Sequence, residues 1–363
     1  MKRIIPLVLL LSLLGGCGIT DYRELDQLEL IETIGVDRSG ASVTVTASGA
    51  SRGAPTVLKS EATTVNHALK DMQNYTARKY VFYGHTRQFL IGEEAAKQGL
   101  DFCLEYMERG AEMRLGTGLY LVKGGTAERA VAACGRENEG IGKLLDSLEK
   151  DVQLTSESHV FCCGDISEWL LETGSGIVAA IELTEEDHIV AGESPITVQS
   201  AGYGIFTEGK LCGYLDKEQA KAVNLLRSMG GGDTMEIADG AGGFYAVRLL
   251  RSKARFEPHY ENGSLQSLRI RLKLSCSIEE IQHEAESAEL PALLERKISE
   301  LEAERVRLLT EKMKELDSDF LHIGKKIRAA DAKRYDQFGW NVAACNYVIE
   351  VETEVERSYE IRS

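Results

Sequence analysis

The chain has 363 residues and a formal net charge of −15, with 57 acidic against 42 basic side chains. This balance argues against nucleic acid as a partner, because binding to a phosphate backbone needs a basic face. A hydrophobic content of 43% is enough for buried cores, and the length predicts more than one domain.

The amino-terminal stretch has the pattern of a secretory signal. A cationic pair at positions 2 and 3 precedes an apolar run over residues 4–14, and two glycines then precede Cys17. The run is too short to span a bilayer, which takes about 20 apolar residues. Residues 14–17 (Leu-Gly-Gly-Cys) resemble the bacterial lipobox, in which the cysteine is acylated and the signal is removed before it. We therefore expect a signal peptide over residues 1–16 and a lipid on Cys17. An ordinary signal peptide with a chance cysteine is the alternative.

Seven further cysteines are present, an odd number, so at least one is free or pairs between molecules. They are Cys103, Cys134, Cys162, Cys163, Cys212, Cys276 and Cys345. A disulfide framework is typical of small secreted domains, so we expect most of these thiols to be buried apolar groups instead. His159 lies near two of them, but three ligands without a second cluster do not predict a zinc site, which takes four.

Residues 17–135 alternate between strand and helix patterns, which predicts an N-terminal α/β domain. The expected elements are strands at 31–37 and 41–47, a helix from a Thr64 N-cap to 78, a strand at 80–92, a helix at 93–109, a strand at 113–123 and a helix after Thr126.

Residues 136–229 predict a middle domain. It begins with an amphipathic helix up to residue 155 and contains a hairpin of strands 196–207 and 210–215. Asp216 and Gln219 have the spacing of a capping box that opens a helix. Residues 230–243 hold six glycines and are predicted to be a linker, since they lack the lysine of a P-loop.

Residues 244–363 predict a C-terminal domain with a hairpin, one long helix and a last strand. Asn262-Gly263 between two apolar-patterned runs is the strongest short hairpin signal. A long helix is expected from Pro291 and a shorter one over residues 325–336. The expected buried stripe of the long helix is Leu294, Ile298, Leu301, Leu308, Met313 and Leu316. The fold class is therefore multi-domain α+β with mixed or antiparallel sheets.

Two rows of opposite charge predict a strand pairing in this domain. The basic row is Arg269, Arg271 and Lys273, and the acidic row is Glu350, Glu352, Glu354 and Glu356. Each row lies on one face of its strand, and like charges in a row repel each other. We therefore expect the two strands to be neighbours with the rows on the same face.

No catalytic motif is present in the sequence, so no enzymatic activity and no cofactor are predicted. His85 lies in a predicted strand without a partner for base catalysis, and His322 after the long helix has no better support. Trp169 and Trp340 are predicted to anchor the core.

Several short motifs follow one another along the chain: residues 24–25, 34–37 (Ile-Gly-Val-Asp), 83–85 (Tyr-Gly-His), 90–93 (Leu-Ile-Gly-Glu), 109–114, 201–206 with 210–215, and 319–324. In this order and spacing they resemble the Ger(x)C family, the C-subunit lipoproteins of spore nutrient-germinant receptors. The chain departs from the family at residues 18 and 19, where tryptophan is frequent. It also departs at Leu321 and His322, which replace a phenylalanine and a glycine.

The resemblance implies a lipoprotein held through acylated Cys17 on the outer face of the spore inner membrane. It would act with a membrane-embedded A subunit and a transporter-like B subunit in the germination response, without enzymatic activity or cofactor. Whether this subunit itself binds a small molecule is left open. A solute-binding lipoprotein that feeds a transporter is the alternative, although it predicts two similar lobes where the halves here are unlike. A cell-surface hydrolase would need the motifs that are missing.

Overall fold

A computed structural model describes residues 23–49, 56–76, 79–133, 140–185, 196–238, 243–261, 264–282 and 290–356. Within these ranges the chain forms 13 strands in two sheets, together with ten α-helices. The α+β class with mixed sheets and a long C-terminal helix is confirmed.

The larger sheet has nine strands, with parallel pairing at its centre and antiparallel pairing at both sides. Its strands are β1 (Leu28–Ser39), β2 (Ser42–Gly49), β3 (Val57–Ala62), β4 (Tyr80–Phe82), β5 (Gln88–Gly92), β6 (Gly118–Val122), β7 (Ser175–Glu185), β8 (Ile196–Thr207) and β9 (Lys210–Leu215). The order is β3-β2-β1-β5-β6-β7-β8-β9, and β4 pairs with β1. The sheet therefore runs across the predicted boundary at residue 135, because β7 to β9 extend the sheet that β1 to β6 begin.

Helices cover both faces of this sheet. They are α1 (Val65–Met72), α2 (Glu93–Gln98), α3 (Asp101–Arg109), α4 (Ala127–Ala132), α5 (Ile141–Thr155), α6 (Cys163–Thr173) and α7 (Lys217–Leu226). Residues of α4 and α5 pack with Leu90, Tyr120 and Ile181 in one core on one face. The main core lies on the other face and includes residues of α1, α3, α6 and α7. Strand β5 is buried along its whole length, as expected for a central parallel strand covered on both sides.

The smaller sheet has four strands in the order β10-β11-β12-β13, and the last pair is parallel. Its strands are β10 (Thr234–Ala238), β11 (Phe244–Glu261), β12 (Ser264–Ile281) and β13 (Asn346–Glu356), and its helices are α8 (Leu290–Glu315), α9 (Ile323–Ala330) and α10 (Ala332–Phe338). Helix α8 packs on β13, while α7 contacts α8, β8 and β11 and so joins the two sheets.

The predicted linker over residues 230–243 is wrong in part, because β10 lies within it. Met235 and Ile237 alternate with exposed neighbours and are buried against the small sheet, which is the pattern of a half-buried strand. The alternation of buried and exposed residues covers only five positions and is flanked by glycines, so the sequence pattern favoured a linker.

Three single predicted elements are each split in two. Gly99 has φ +120° and ends α2, so residues 93–109 form two helices. The strand expected at 80–92 is divided into β4 and β5 by a turn at residues 83–87. The helix expected over 325–336 is divided into α9 and α10 at Asp331, which caps α10. The strand expected at 113–123 is shorter and begins at Gly118.

The buried stripe of α8 is shifted from the predicted one. Leu301 and Leu308 are 37% and 43% exposed, whereas Val306 and Leu309 are fully buried. Glu302 also lies on the buried side at 2% exposure. The prediction followed leucines, but the helical repeat from Leu294 and Ile298 leads to this glutamate.

The pairing of the two charged rows is confirmed. Strand β12 lies beside β13 with Arg271 opposite Glu350 and Lys273 opposite Glu352. The Arg271 Nε donates to the Glu350 carboxylate at 2.9 Å, and the Lys273 ammonium lies 2.7 Å from the Glu352 carboxylate. The hairpin of β11 and β12 and the capping box of Asp216 and Gln219 are confirmed as well.

Candidate functional site: a cationic cleft beside helix α7

The predicted lipidation residue, Cys17, lies outside the described residues, and so does Cys134. The other six cysteines are free thiols, and four of them are buried. They follow the expectation for small apolar groups; for example, burial raises the pKa of Cys103 to about 12.

The polar residues singled out by sequence do not assemble into one site. His85 lies in the turn between β4 and β5, not in a strand, and its side chain is half exposed. The Cys162 thiol donates to the Asp165 carboxylate at 3.0 Å, while the His159 ring packs edge-on against Phe161. Among the described residues, no three His, Cys, Asp or Glu side chains are grouped as metal ligands would be.

The family-like motif at residues 34–37 has a structural role. The Asp37 carboxylate accepts hydrogen bonds from the backbone N–H groups of Ala127 and Glu128 at 2.9 and 2.8 Å, so it holds the start of α4. A Cβ on Gly35 would lie 2.7 Å from a Val131 methyl group, so only glycine allows the helix to approach β1 this closely.

Two other motifs meet at Glu93. This carboxylate accepts hydrogen bonds from the Tyr214 hydroxyl at 2.8 Å and from the Gly124 N–H at 2.5 Å, and it pairs with Lys97 at 2.8 Å. Burial opposes the charge, but these donors outweigh it and lower the pKa of Glu93 to about 2. The contact ties the start of α2 to β9.

The last motif, residues 319–324, shapes the start of α9. The buried Asp319 carboxyl accepts from the N–H groups of Ile323 and Gly324, both at 2.8 Å. Burial raises the pKa of Asp319 to about 7, against the lowering effect of these two bonds. His322 has φ +56°, the left-handed region that favours glycine, which explains why glycine suits this position of the motif.

A cleft of about 420 Å³ opens beside this motif, between α6, the C-terminal end of α7, and α9. We call it the cationic cleft; the side chains that define it are Phe161, Asp165, Trp169, Arg227, His322 and Lys326. Trp169 is buried in the core as predicted, and its ring also forms part of the cleft wall.

Arg227 is the central cation of the cleft. Its guanidinium lies 4.7 Å from the centre of the Phe161 ring and 4.4 Å from that of Trp169. It forms no ion pair within the described part of the chain, and its Nη1 is buried without a hydrogen-bond partner there. Burial lowers the pKa of this group.

Lys326 and His322 face the same space. The Lys326 ammonium donates to the Leu226 carbonyl at 3.2 Å and lies over the Phe256 ring, and no carboxylate among the described residues pairs with it. Burial lowers the pKa of Lys326 to about 8. The positive charge of Arg227 adds to this effect, and the Asp319 carboxyl opposes it. His322 packs on Trp169 with ring centres 4.9 Å apart, and its buried Nε2 has no hydrogen-bond partner among the described residues. Burial lowers the pKa of His322 to about 3, so the ring is neutral.

Sequence reasoning missed this cleft, because its residues come from three segments that are distant in sequence. One signal was present: His322 stands where the family has glycine, and a bulky residue at a left-handed position points to a local constraint.

The fold has a known counterpart. A solved structure, described as the crystal structure of the GerBC protein, superimposes with a TM-score of 0.60 over 89% of this chain and 96% of that one, at 16% identity. The architecture is therefore that of a known α+β protein, and identity this low shows the fold alone.

Comparison with protein families assigns both halves of the chain. Residues 21–183 match the family described as spore germination protein N-terminal domain, and residues 201–362 match the one described as spore germination B3/GerAC like, C-terminal. The chain belongs to the Ger(x)C family of spore germinant receptor C subunits, which supports a role in spore germination.

One curated relative is spore germination protein KC of Bacillus subtilis (strain 168), 28% identical over 166 residues. The alignment covers 41% of this chain and 38% of that protein. In the described part of the chain, no helix has the length and apolar character needed to cross a membrane.

Proposed function

We propose that this protein is a lipid-anchored subunit of a germinant receptor complex and acts by docking to other subunits rather than by catalysis. The observation that carries the proposal is that the two family matches occur in order over residues 21–183 and 201–362. The site geometry supports the docking role. The motif carboxylates of Asp37, Glu93 and Asp319 are engaged by helix starts and by a tyrosine, so they organise the scaffold.

The proposed anchor is acylated Cys17. Cleavage removes the signal peptide (residues 1–16) and leaves Cys17 as the first residue, whose acyl chains are held in the spore inner membrane. Two or more acyl chains give stable anchoring, whereas one chain is marginal. Cys17 precedes Arg23 by six positions, which an extended chain spans in roughly 20 Å. The Arg23 guanidinium lies 3.9 Å from the centre of the Tyr80 ring. A tether of this length would keep the end of the large sheet at Tyr80 close to the bilayer.

The proposed partners are the membrane-embedded A and B subunits. The charge of −15 supports a protein partner and a lipid tether over direct adsorption, because an acidic body is repelled by anionic lipid headgroups.

The proposal is tested by comparing Cys17→Ala with Cys212→Ala in spores. Cys212 is an exposed free thiol and serves as the matched control. We expect Cys17→Ala to leave the membrane fraction, to stop co-purifying with the A and B subunits, and to slow nutrient germination, while Cys212→Ala behaves like the parent. Full membrane retention and co-purification of Cys17→Ala would contradict the proposed anchor.

A further inference from the structure

We propose that the cationic cleft is a binding site for a small organic carboxylate with an apolar body. The inference goes beyond the docking role. It concerns the folded chain alone, so it stands or falls independently of the lipid on Cys17 and of the receptor partners.

The cleft holds two largely buried cations that form no ion pair among the described residues. Burial lowers the pKa of Arg227 and of Lys326, although the Asp165 and Asp319 carboxyl groups oppose this effect at Arg227 and Asp319 opposes it at Lys326. Neither Arg227 nor Lys326 has a carboxylate partner in the part of the chain that the structure describes. Buried charges are costly unless they are paired, and the chain as a whole has a large excess of acidic groups. Two cations left without partners in so acidic a protein therefore indicate that an anion from outside completes the site.

His322 supplies a second, independent indication. The residue is only 4% exposed, lines the cleft, and has a buried Nε2 with no partner among the described residues. Its Nδ1 lies 3.5 Å from the Thr173 hydroxyl, and in the tautomer that carries the single proton on Nε2 the neutral imidazole is a further donor beside the two cations. The side chain is kept although the backbone there, at φ +56°, favours glycine.

The shape and polarity of the cleft favour a carboxylate over a bare phosphate. The planar guanidinium of Arg227 matches a carboxylate, which it can bind through two parallel N–H groups. Asp165 also lines the cleft and repels a doubly charged anion more strongly than a single charge.

The remaining walls favour an apolar body on the ligand. Met229 and Leu321 also line the cleft, and the Arg227 guanidinium lies over the Phe161 and Trp169 rings. A volume of about 420 Å³ is in the range of small-molecule pockets.

The test is a fluorescence titration of the full chain in non-ionic detergent. The chain has two tryptophans, so a Trp340→Phe background leaves Trp169 in the cleft wall as the reporter. Phenylacetate is the probe, phenylacetamide is its uncharged isostere, and inorganic phosphate is the anion without an apolar body. We expect saturable quenching by phenylacetate at pH 7. The affinity for phenylacetamide and for phosphate should be weaker than that for phenylacetate by about tenfold or more.

Neighbouring lysines provide matched variants. Lys325 also lines the cleft, but its charge is already paired with Glu168 at 2.5 Å and Glu172 at 3.2 Å, whereas Lys326 has no carboxylate partner among the described residues. We expect Lys326→Met to weaken phenylacetate binding about tenfold and Lys325→Met to change it less than twofold. His322→Gly, which suits the left-handed backbone, should also weaken binding while the circular dichroism spectrum stays unchanged.

Three results would overturn the proposal. They are no saturable response to phenylacetate, equal loss in the two lysine variants, or phosphate binding as tight as phenylacetate. Loss of a receptor subunit from Lys326→Met complexes, with no phenylacetate binding to the parent chain, would assign the cleft to a partner's acidic side chain instead.

Discussion

Two groups of buried charges flank helix α7, and they differ in whether each charge has a partner. On one side, side chains from α7, α8 and the segment before β10 form a paired cluster of Lys221, Asp233, Glu302 and Arg305, with the exposed Glu218 carboxylate at its edge. At the C-terminal end of α7, the cationic cleft holds Arg227 and Lys326 without carboxylate partners among the described residues.

The paired cluster joins the two sheets. Lys221 on α7 lies 3.1 Å from the Asp233 carboxylate, and Arg305 on α8 contacts both Glu218 on α7 and Glu302. Each cation there has a carboxylate within ion-pair distance, although burial still raises the pKa of Asp233 and of Glu302. The comparison suggests two roles for buried charges in this fold. Paired charges hold two parts of the structure together, whereas unpaired charges indicate a binding site.

The largest expected effect is a difference in the free energy of unfolding between a variant in the paired cluster and a variant in the cationic cleft. Arg305→Met leaves Glu302 buried without its cation and should lower the free energy of unfolding by about 3 kcal/mol. Lys326→Met removes a buried cation that pairs with no described carboxylate, so it should lower stability by less than about 1 kcal/mol. Urea unfolding at pH 8, followed by circular dichroism, measures both. A Lys326→Met loss as large as that of Arg305→Met would break the comparison.

A second prediction concerns pH. Burial raises the pKa of Glu302 from 4.5 to about 7, against the effect of Arg305. The folded state therefore holds this proton more tightly than the unfolded state, and the contribution of Glu302 to stability falls as pH rises from 4.5 through 7. Glu302→Gln cannot ionise, so relative to the parent it should gain about 1–3 kcal/mol between pH 4.5 and pH 8.

Paired urea titrations at pH 4.5, 6 and 8 check this prediction. Asp319, whose pKa burial also raises, is present in both proteins, so the difference between them isolates Glu302. A difference in unfolding free energy that does not change with pH would refute the shifted pKa of Glu302.

Features set by near neighbours could be predicted from the sequence. The Asp216 capping box and the β11–β12 hairpin depend on residues close together in the chain. The β12–β13 pairing is distant in sequence, yet alternating charge on both strands carried enough information to predict it.

The features that were missed depend on tertiary packing. Leucines at 301 and 308 fit an apolar stripe, but packing against β13 and α7 turned Glu302 inward instead. The cationic cleft joins residues 161–169, 227 and 322–326, whose proximity no local pattern reports. Only the side chain at 322 gave a sequence signal, because it departs from the glycine of the family motif.

A third, smaller effect is expected at His322. Both His322→Gly and His322→Ala remove the ring from Trp169, but only glycine adopts φ +56° without steric cost. We expect the glycine variant to be more stable than the alanine variant by about 1 kcal/mol in thermal or urea unfolding. Equal stability would show that the left-handed backbone is not retained.

The smallest effect is expected in the charged rows of the small sheet. Lys273 and Glu352 are paired at 2.7 Å but are 66% and 71% exposed, so solvent screens their attraction. A double-mutant cycle of Lys273→Gln and Glu352→Gln should give a coupling of about 0.2–1 kcal/mol. The coupling should shrink in 1 M salt, and a larger, salt-independent value would contradict a surface pair.

The most direct test of the central contrast is a crystal structure of the chain with phenylacetate at pH 7. We predict that the carboxylate lies within hydrogen-bond distance of the Arg227 guanidinium and the Lys326 ammonium, while the paired cluster around Arg305 is unchanged and binds no anion. An empty cationic cleft at saturating phenylacetate, or the carboxylate bound at Arg305, would contradict this account.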